Sequence, residues 1–223
     1  MKKTALAAMF MAAVVFASCS KEDEKSPEII IEKDNATLVY GGEFQIKATS
    51  DYDLTYKSED ENHAMVDEKG LVKATFVGET NIVVSNTEKS KKVKITVRPE
   101  YTLYDDPSQY LGMTKSQIIS KLGEPYKSSE TSLVYVNYSS YVTYLMVIFE
   151  NDKANNISVT IENKYMSKLV NFMAERYLYI GQENDIYTYV DNIDKSKIKT
   201  TIYVTVYNAS YMVAIYTPYS SSN

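Results

Sequence analysis

The apolar residues of this chain follow one spacing up to residue 98 and another beyond it. In the first part, residues 44–48 and 93–97 alternate apolar and polar side chains, which predicts strands that bury one face. Turn residues at 41–42 and 67–70 separate such segments, and none of them has a helical period. Many short strands at close spacing predict an all-β sandwich for residues 28–98.

The second part begins with a helix that has signals at both ends. Thr114 is suited to cap the first turn and Gln117 to return the hydrogen bond, while Met113 can pack on Ile118. Gly123 and Pro125 then end the helix.

A second helix is predicted over residues 164–177. Its apolar residues recur at spacings of three and four, which places them on one helix face; they are Met166, Leu169, Val170, Met173 and Tyr177. Predicted strands follow each helix, at 133–138, 142–149 and 157–161 and then at 186–190, 200–207 and 211–216. The pattern predicts an α+β domain over residues 99–223, in which helices pack on an antiparallel sheet in a two-fold α-β-β-β repeat.

Composition also changes near Arg98-Pro99-Glu100. Three of the 21 tyrosines precede residue 100 and eighteen follow it, so we place a domain boundary there and expect few contacts across it. The 44% hydrophobic content is enough for real cores, and the net charge of −5 argues against nucleic acid as a partner.

The N-terminus has the three parts of a secretory signal. Lys2 and Lys3 precede an apolar stretch at 5–15, and small residues lead into Cys19. This segment resembles the lipobox of bacterial lipoproteins, which implies a signal peptide at 1–18, a lipidated Cys19 and a disordered tether over 19–27. The alternative is a secreted protein with an incidental cysteine. Lipidation implies that the protein is held on a membrane through Cys19.

Acidic residues at 22–24 follow the cysteine. They resemble the export signal of surface lipoproteins in some Gram-negative bacteria, which implies an outer-membrane lipoprotein displayed on the cell surface. A solvated spacer explains the same charges, and a periplasm-facing protein is the alternative location.

Three segments of the first part, 36–46, 64–74 and 78–84, resemble the group-2 bacterial immunoglobulin-like (BIG) domain. Gly70, Gly78 and the apolar positions fall in register with that family, and Tyr56 stands where a tryptophan is often found. The family occurs in adhesins and as a spacer in surface proteins, so the resemblance alone does not imply adhesion.

In the second part, residues 111–125 resemble the first helix of BamE (SmpA/OmlA) outer-membrane lipoproteins and the repeat of β-lactamase-inhibitor-protein-like domains. Both resemblances imply helices laid across an antiparallel sheet.

Catalytic and metal-binding patterns are not found. The single histidine, His63, is predicted to lie in a surface loop, and no His/Cys cluster has zinc spacing. Five carboxylates could in principle hold calcium, but a solvated acidic loop is favoured; they are Asp51, Asp53, Glu59, Asp60 and Glu61. We predict a non-enzymatic protein without cofactor or metal.

The candidate site is a tyrosine-rich strand face. Residues 201–207 alternate strictly, so the Ile/Val side is predicted to face the helices and the Tyr/Thr side to stay open. The predicted binding face comprises Thr201, Tyr203, Thr205 and Tyr207, with Tyr187 and Tyr189 from a neighbouring strand and Tyr144 from the first half. The alternative is a face covered by the sandwich or by a second copy, or a solvated sheet surface.

These features predict a lipid-anchored surface protein in which an Ig-like stalk presents a domain that binds a protein or glycan. A structural lipoprotein of envelope assembly and an inhibitor of a secreted enzyme are the alternatives, and the sequence does not identify the ligand.

Overall fold

The structure, a computed structural model, describes residues 26–220. The predicted signal peptide, Cys19 and all but the last two residues of the predicted tether lie outside the described residues. Those last two are held on the first domain. The Ser26 N–H donates to Asp51 Oδ2 at 2.8 Å, and the Pro27 carbonyl accepts from Asn86 Nδ2 at 2.9 Å.

Nine strands form the first part of the fold. They are β1 (Ile30–Ile31), β2 (Asn35–Leu38), β3 (Glu43–Gln45), β4 (Ala48–Thr49), β5 (Thr55–Ser58), β6 (Ala64–Val66), β7 (Leu71–Ala74), β8 (Gly78–Ser85) and β9 (Ser90–Val97). A four-stranded sheet, β2-β9-β8-β5, and a three-stranded sheet, β3-β7-β6, bury a shared core, with the pair β1-β4 beside them. Two sheets that share one core make a sandwich.

Two glycines of this sandwich lie close to aromatic rings. A Cβ on Gly70 would lie 2.9 Å from the Tyr56 ring, so Tyr56 packs over the β6–β7 hairpin where the family often has tryptophan. A Cβ on Gly78 would lie 2.3 Å from the His63 ring. His63 was predicted to be a surface loop residue, but its ring is largely covered, and Nδ1 lies 3.3 Å from the Phe76 carbonyl.

The second part contains two short helices, α1 (Lys115–Leu122) and α2 (Met166–Ala174). The predicted capping box at the start of α1 is present, with the Thr114 N–H 2.9 Å from Gln117 Oε1, and Gly123 caps the other end. The helix α2 is shorter than predicted, because residues Asn163–Tyr165 form a 3₁₀ turn and the helix ends at Ala174. Within residues 26–220, neither helix is long and apolar enough to cross a membrane.

Eight antiparallel strands complete the chain. They are β10 (Lys127–Ser128), β11 (Ser132–Val136), β12 (Val142–Glu150), β13 (Lys153–Glu162), β14 (Leu178–Glu183), β15 (Ile186–Val190), β16 (Thr200–Val206) and β17 (Tyr211–Pro218). Their order in the sheet is β10-β11-β12-β13-β17-β16-β15-β14. Each helix is thus followed by four strands rather than the predicted three, since β10 and β14 carried no strand prediction. The sheet order is symmetric about the β13–β17 pair.

Both helices lie against one side of this sheet. Ile118, Leu169, Phe172 and Met173 share a buried cluster with side chains of β11 to β13 and β15 to β17. At its centre the hydroxyls of Tyr104 and Tyr216 are 3.0 Å apart, and burial raises the pKa of both.

Hydrogen bonds link the two parts of the chain at two places. At the first place, the Val77 N–H donates to the backbone carbonyl of Glu175 at 2.8 Å. The buried Glu175 carboxylate accepts from the backbone N–H groups of Glu100 at 2.9 Å and Tyr101 at 3.0 Å, where the second part begins. Buried Asn62 donates to the Asp191 carbonyl at 3.2 Å and accepts from the Ile193 N–H at 3.0 Å. The buried Asn62 side chain is thereby satisfied by groups of the second part.

Candidate binding face

The eight-stranded sheet has one side covered by the helices, and within residues 26–220 most of its other side is open to solvent. Val190 and Thr201, which pair at one end of that other side, are buried. The register of the paired strands shows on which side of the sheet each side chain lies. Tyr135, Leu145, Val159 and Ala214 form one row of the covered side and are buried or half-buried. The side chains that alternate with them form what we call the uncovered face.

Three residue rows run across the uncovered face. The first contains Val136, Tyr144, Thr160, Val213, Thr205 and Ile186, and the second contains Val134, Met146, Ser158, Ile215, Tyr203 and Thr188. The third includes Ile148 on one half of the sheet and Thr201 on the other. None of these side chains is charged, so the middle of the face is apolar and hydroxylic.

Large apolar side chains of this face are exposed to solvent. Tyr144 is 46% exposed and Tyr203 38%, and Met146, Ile148 and Val136 are exposed to a similar degree. Monomeric proteins seldom leave a contiguous apolar surface of this kind open without a function for it.

The predicted set of site residues is divided between the two sides of the sheet. Tyr203 pairs with Thr188, whereas Tyr187 pairs with Val204 and Tyr189 with Ile202. Tyr187 and Tyr189 therefore lie on the helix-covered side, and their assignment to the Tyr203 face was wrong. The prediction aligned two tyrosine patterns without knowing the register, and a shift of one residue moves every side chain to the other face.

The remaining predicted residues differ in exposure. Tyr144 and Thr205 share one row of the uncovered face, and Thr205 is half-buried. Thr201 is only 7% exposed, so it contributes little to a contact surface. Tyr207 follows the last residue of β16, is 73% exposed, and donates its N–H to the Tyr211 carbonyl at 2.9 Å.

Tyr187 and Tyr189 instead line an apolar depression of about 210 Å³ between α2 and the strands β15 and β16. Val170, Met166 and Val206 lie at its exposed margin. Tyr189 is buried, and that burial, with the neighbouring Tyr179 and Tyr187, raises its pKa. Its place in the shared buried cluster indicates a packing role.

The predicted acidic loop contains ordinary surface partners. Asp51 accepts from the Ser26 backbone, and Glu59 pairs with Lys92 and Asn81, which lowers the pKa of Glu59. Within residues 26–220, no three Asp, Glu, His or Cys side chains are grouped so as to hold a metal ion.

The strongest part of the uncovered face was not among the predicted residues. Met146 and Ile148 on β12, and Val213 and Ile215 on β17, contribute much of its apolar surface. A signal was available, because residues 145–149 are all apolar. A continuous apolar run is typical of a strand that is buried on both faces, whereas a strand with one solvated face alternates.

Comparison with known proteins identifies the first domain. Residues 25–97 match the bacterial Ig-like domain family, group 2. Residues 25–97 are therefore a bacterial Ig-like domain, as the resemblance in the sequence predicted. No curated protein matches the chain.

Two solved structures are similar to the chain at low levels. A crystal structure of an intimin mutant from EHEC O157:H7 has 17% identity and a TM-score of 0.27, over 85% of this chain and 96% of that one. Domains 5–6 of the S-layer protein SbsC have 13% identity and a TM-score of 0.30, over 88% of this chain and 85% of that one. At these TM-scores neither likeness supports an argument about function.

Proposed function

We propose that this protein is a lipid-anchored binding protein of the bacterial cell surface. In this proposal Cys19 carries the anchor, the Ig-like domain is a stalk, and the domain of residues 99–223 is the binding module. The observation that carries the proposal is the uncovered face: a sheet surface with an uncharged middle and with large apolar side chains left open to solvent.

The second domain provides a rigid platform for such a face. Two helices on one side of an eight-stranded sheet, with the same number of strands after each helix, support the α+β description and a two-fold repeat. Helices on the other side fill the core behind the face. Residues at the face can therefore change without loss of the core, which is the usual arrangement of a binding sheet.

The chemistry of the face favours a protein partner over a glycan. Sugar-binding sites commonly use carboxylates or amides to bind hydroxyl groups. The first two rows offer only Ser and Thr hydroxyls and tyrosine as polar groups, and the third row adds one amide, Asn156, opposite Ile148. Apolar and aromatic groups with few charges are typical of the core of a protein–protein interface.

The anchor is tested with Cys19→Ala in intact cells. Wild type is expected in the membrane fraction and accessible to protease added outside the cells, and Cys19→Ala is expected in the soluble fraction or uncleaved. A processed Cys19→Ala protein that still partitions with membranes would contradict lipidation. A wild-type protein that resists external protease until the envelope is opened would contradict surface display and favour the envelope-assembly alternative.

The binding role is tested separately by attachment of the expressing cells to each other and to host cell layers. Met146→Glu is expected to abolish attachment, and Val170→Glu, on the helix side, is expected to leave it unchanged. Equal attachment by both variants would contradict the role of the uncovered face.

A further inference from the structure

We infer that the uncovered face binds the uncovered face of a second copy of this chain. The inference rests on the proposed function and names the partner for the same site. Three properties of the face support it: its strand pattern, its charge and its area.

The strand pattern indicates a face that is meant to be buried. On β12, Leu145, Val147 and Phe149 are buried under the helices, but the intervening Met146 and Ile148 are also apolar and stay exposed. The strand β17 repeats this, with Val213 and Ile215 half-buried between buried neighbours. Strands apolar on both faces occur where both faces are covered, so the described chain lacks one layer.

The charge distribution of the face disfavours most other partners that could cover it. The middle of the uncovered face carries no charged side chain, and its charges lie at the margins. Lys127 of β10 pairs with Val134, and Glu183 of β14 pairs with Ile186. Glu162, the last residue of β13, forms an ion pair with Lys164 at a third margin. The uncharged middle of the face has nothing with which to attract nucleic acid, an anionic membrane surface or a charged glycan. It also meets an identical face without repulsion, although the whole chain has a net charge of −5.

The area suffices for a dimer. Six neighbouring strands of the sheet, β11-β12-β13-β17-β16-β15, lie at a spacing of about 4.8 Å and are each about 20 Å long, so together they cover roughly 600 Å². Two such faces would bury roughly 1,200 Å², above the roughly 1,000 Å² expected of a biological interface. Sheets pack face to face in this manner in sandwiches, and a two-fold axis lets each copy use the same patch.

The test is sedimentation of residues 26–223, which keep every described element, over a thousandfold range of protein concentration. The expected result is a reversible dimer. Met146→Glu places an unpaired carboxylate in the interface and is expected to weaken dimerisation by about 100-fold or more. The matched control, Val170→Glu, has a side chain that is 53% exposed on α2 and is expected to leave the dimer intact.

A second measurement does not depend on a disruptive variant. The fragment 26–223 contains no cysteine, so Met146→Cys and Val170→Cys each provide one thiol. The Met146→Cys thiol is expected to react more slowly with a thiol reagent as protein concentration rises, while the Val170→Cys thiol reacts at a constant rate.

The outcomes separate the inference from the proposed function. A chain that stays monomeric at all concentrations, with Met146→Cys equally reactive throughout, would overturn the inference. So would a dimer that Met146→Glu leaves intact. The chain could be monomeric while its cells still attach, and Met146→Glu could still abolish that attachment. In that case the face binds a different protein and the proposed function stands.

Discussion

Tyr203 lies directly opposite Thr188 in the β15–β16 ladder, and this pairing fixes the side of the sheet to which each neighbouring tyrosine belongs. Tyr203 faces away from the helices. Tyr187 and Tyr189, one position to either side of Thr188, face towards them. Neighbouring tyrosines therefore have different surroundings: Tyr203 is 38% exposed on the uncovered face, whereas Tyr189 is buried in the cluster beneath the helices.

The first prediction uses this difference. Tyr203→Ser is expected to weaken partner binding by about 10-fold or more, because a large aromatic contact worth about 1–2 kcal/mol is removed from the face. Tyr187→Ser, similar in exposure but on the helix side, is the matched control and should leave binding unchanged. Sedimentation and cell attachment measure both variants, and equal losses in the two would contradict the division of the sheet into two surfaces.

The second prediction concerns alkaline pH. Burial raises the pKa of Tyr104, Tyr177 and Tyr216 above the ordinary tyrosine value in the folded state. At pH values below the pKa of tyrosine in the unfolded chain, all three hydroxyls are protonated in both states, and their contribution to the free energy of unfolding is fully present. Above that pKa the unfolded chain releases protons that the folded chain keeps, so the free energy of unfolding falls as pH rises.

The expected fall is about 1.4 kcal/mol per pH unit for each such tyrosine, up to its folded pKa. Denaturant titrations at several alkaline pH values measure it, with tyrosinate absorbance as the probe of ionisation. Tyr104→Phe should make the slope shallower, and Tyr126→Phe, whose ring is 76% exposed, should not change it. A free energy of unfolding that is constant across this range would contradict the prediction.

The third prediction concerns the junction between the domains. Glu175→Ala removes the acceptor of two backbone N–H groups and the ion-pair partner of Arg176, whose side chain is largely buried. Leaving a buried polar group unsatisfied costs about 1–3 kcal/mol. The amides of Glu100 and Tyr101 are expected to exchange faster with deuterium, and protease should cut nearby sooner. Glu150→Ala, at an exposed position, is the control. Unchanged protection of the Glu100 and Tyr101 amides in Glu175→Ala would show that other contacts hold the junction.

The fourth prediction concerns the approach of Gly78 to His63. Gly78→Ala places a Cβ 2.3 Å from the ring, at a φ of +147° that disfavours side chains, and should lower the free energy of unfolding by about 2–4 kcal/mol. In a His63→Ala background the same change should cost about 1–3 kcal/mol, because only the backbone cost remains. Thermal or denaturant unfolding of the two single variants and the double variant measures the coupling. Additive losses would contradict the steric explanation.

Local signals predicted much of the fold. The capping box of α1 depends on residues three apart, and the hairpin of β6 and β7 depends on one turn, so both were predictable from neighbouring residues. The strand β14 was missed because its sequence, Leu178–Glu183, contains Gly181 and follows the helix region without an alternating pattern.

The candidate site was harder to predict because it depends on register between distant segments. Residues 201–207 predicted their own alternation correctly, but nothing in them specifies which residue of β15 lies opposite Tyr203. Likewise, the run 145–149 shows that β12 is apolar on both sides, but only the assembled sheet shows that one side has no cover.

The ends of the sheet limit what the molecule can build. The strand β10 has only two residues, and β14, at the other end, is irregular between Tyr179 and Gly181, so neither end offers a long regular strand to another chain. In the proposed pairing, one partner would occupy the uncovered face of the described second domain, so each molecule would have a valence of one. In the proposed pairing on a cell surface, such molecules would form pairs and not fibres or lattices, so the strength of contact between cells would increase in proportion to the number of molecules that meet.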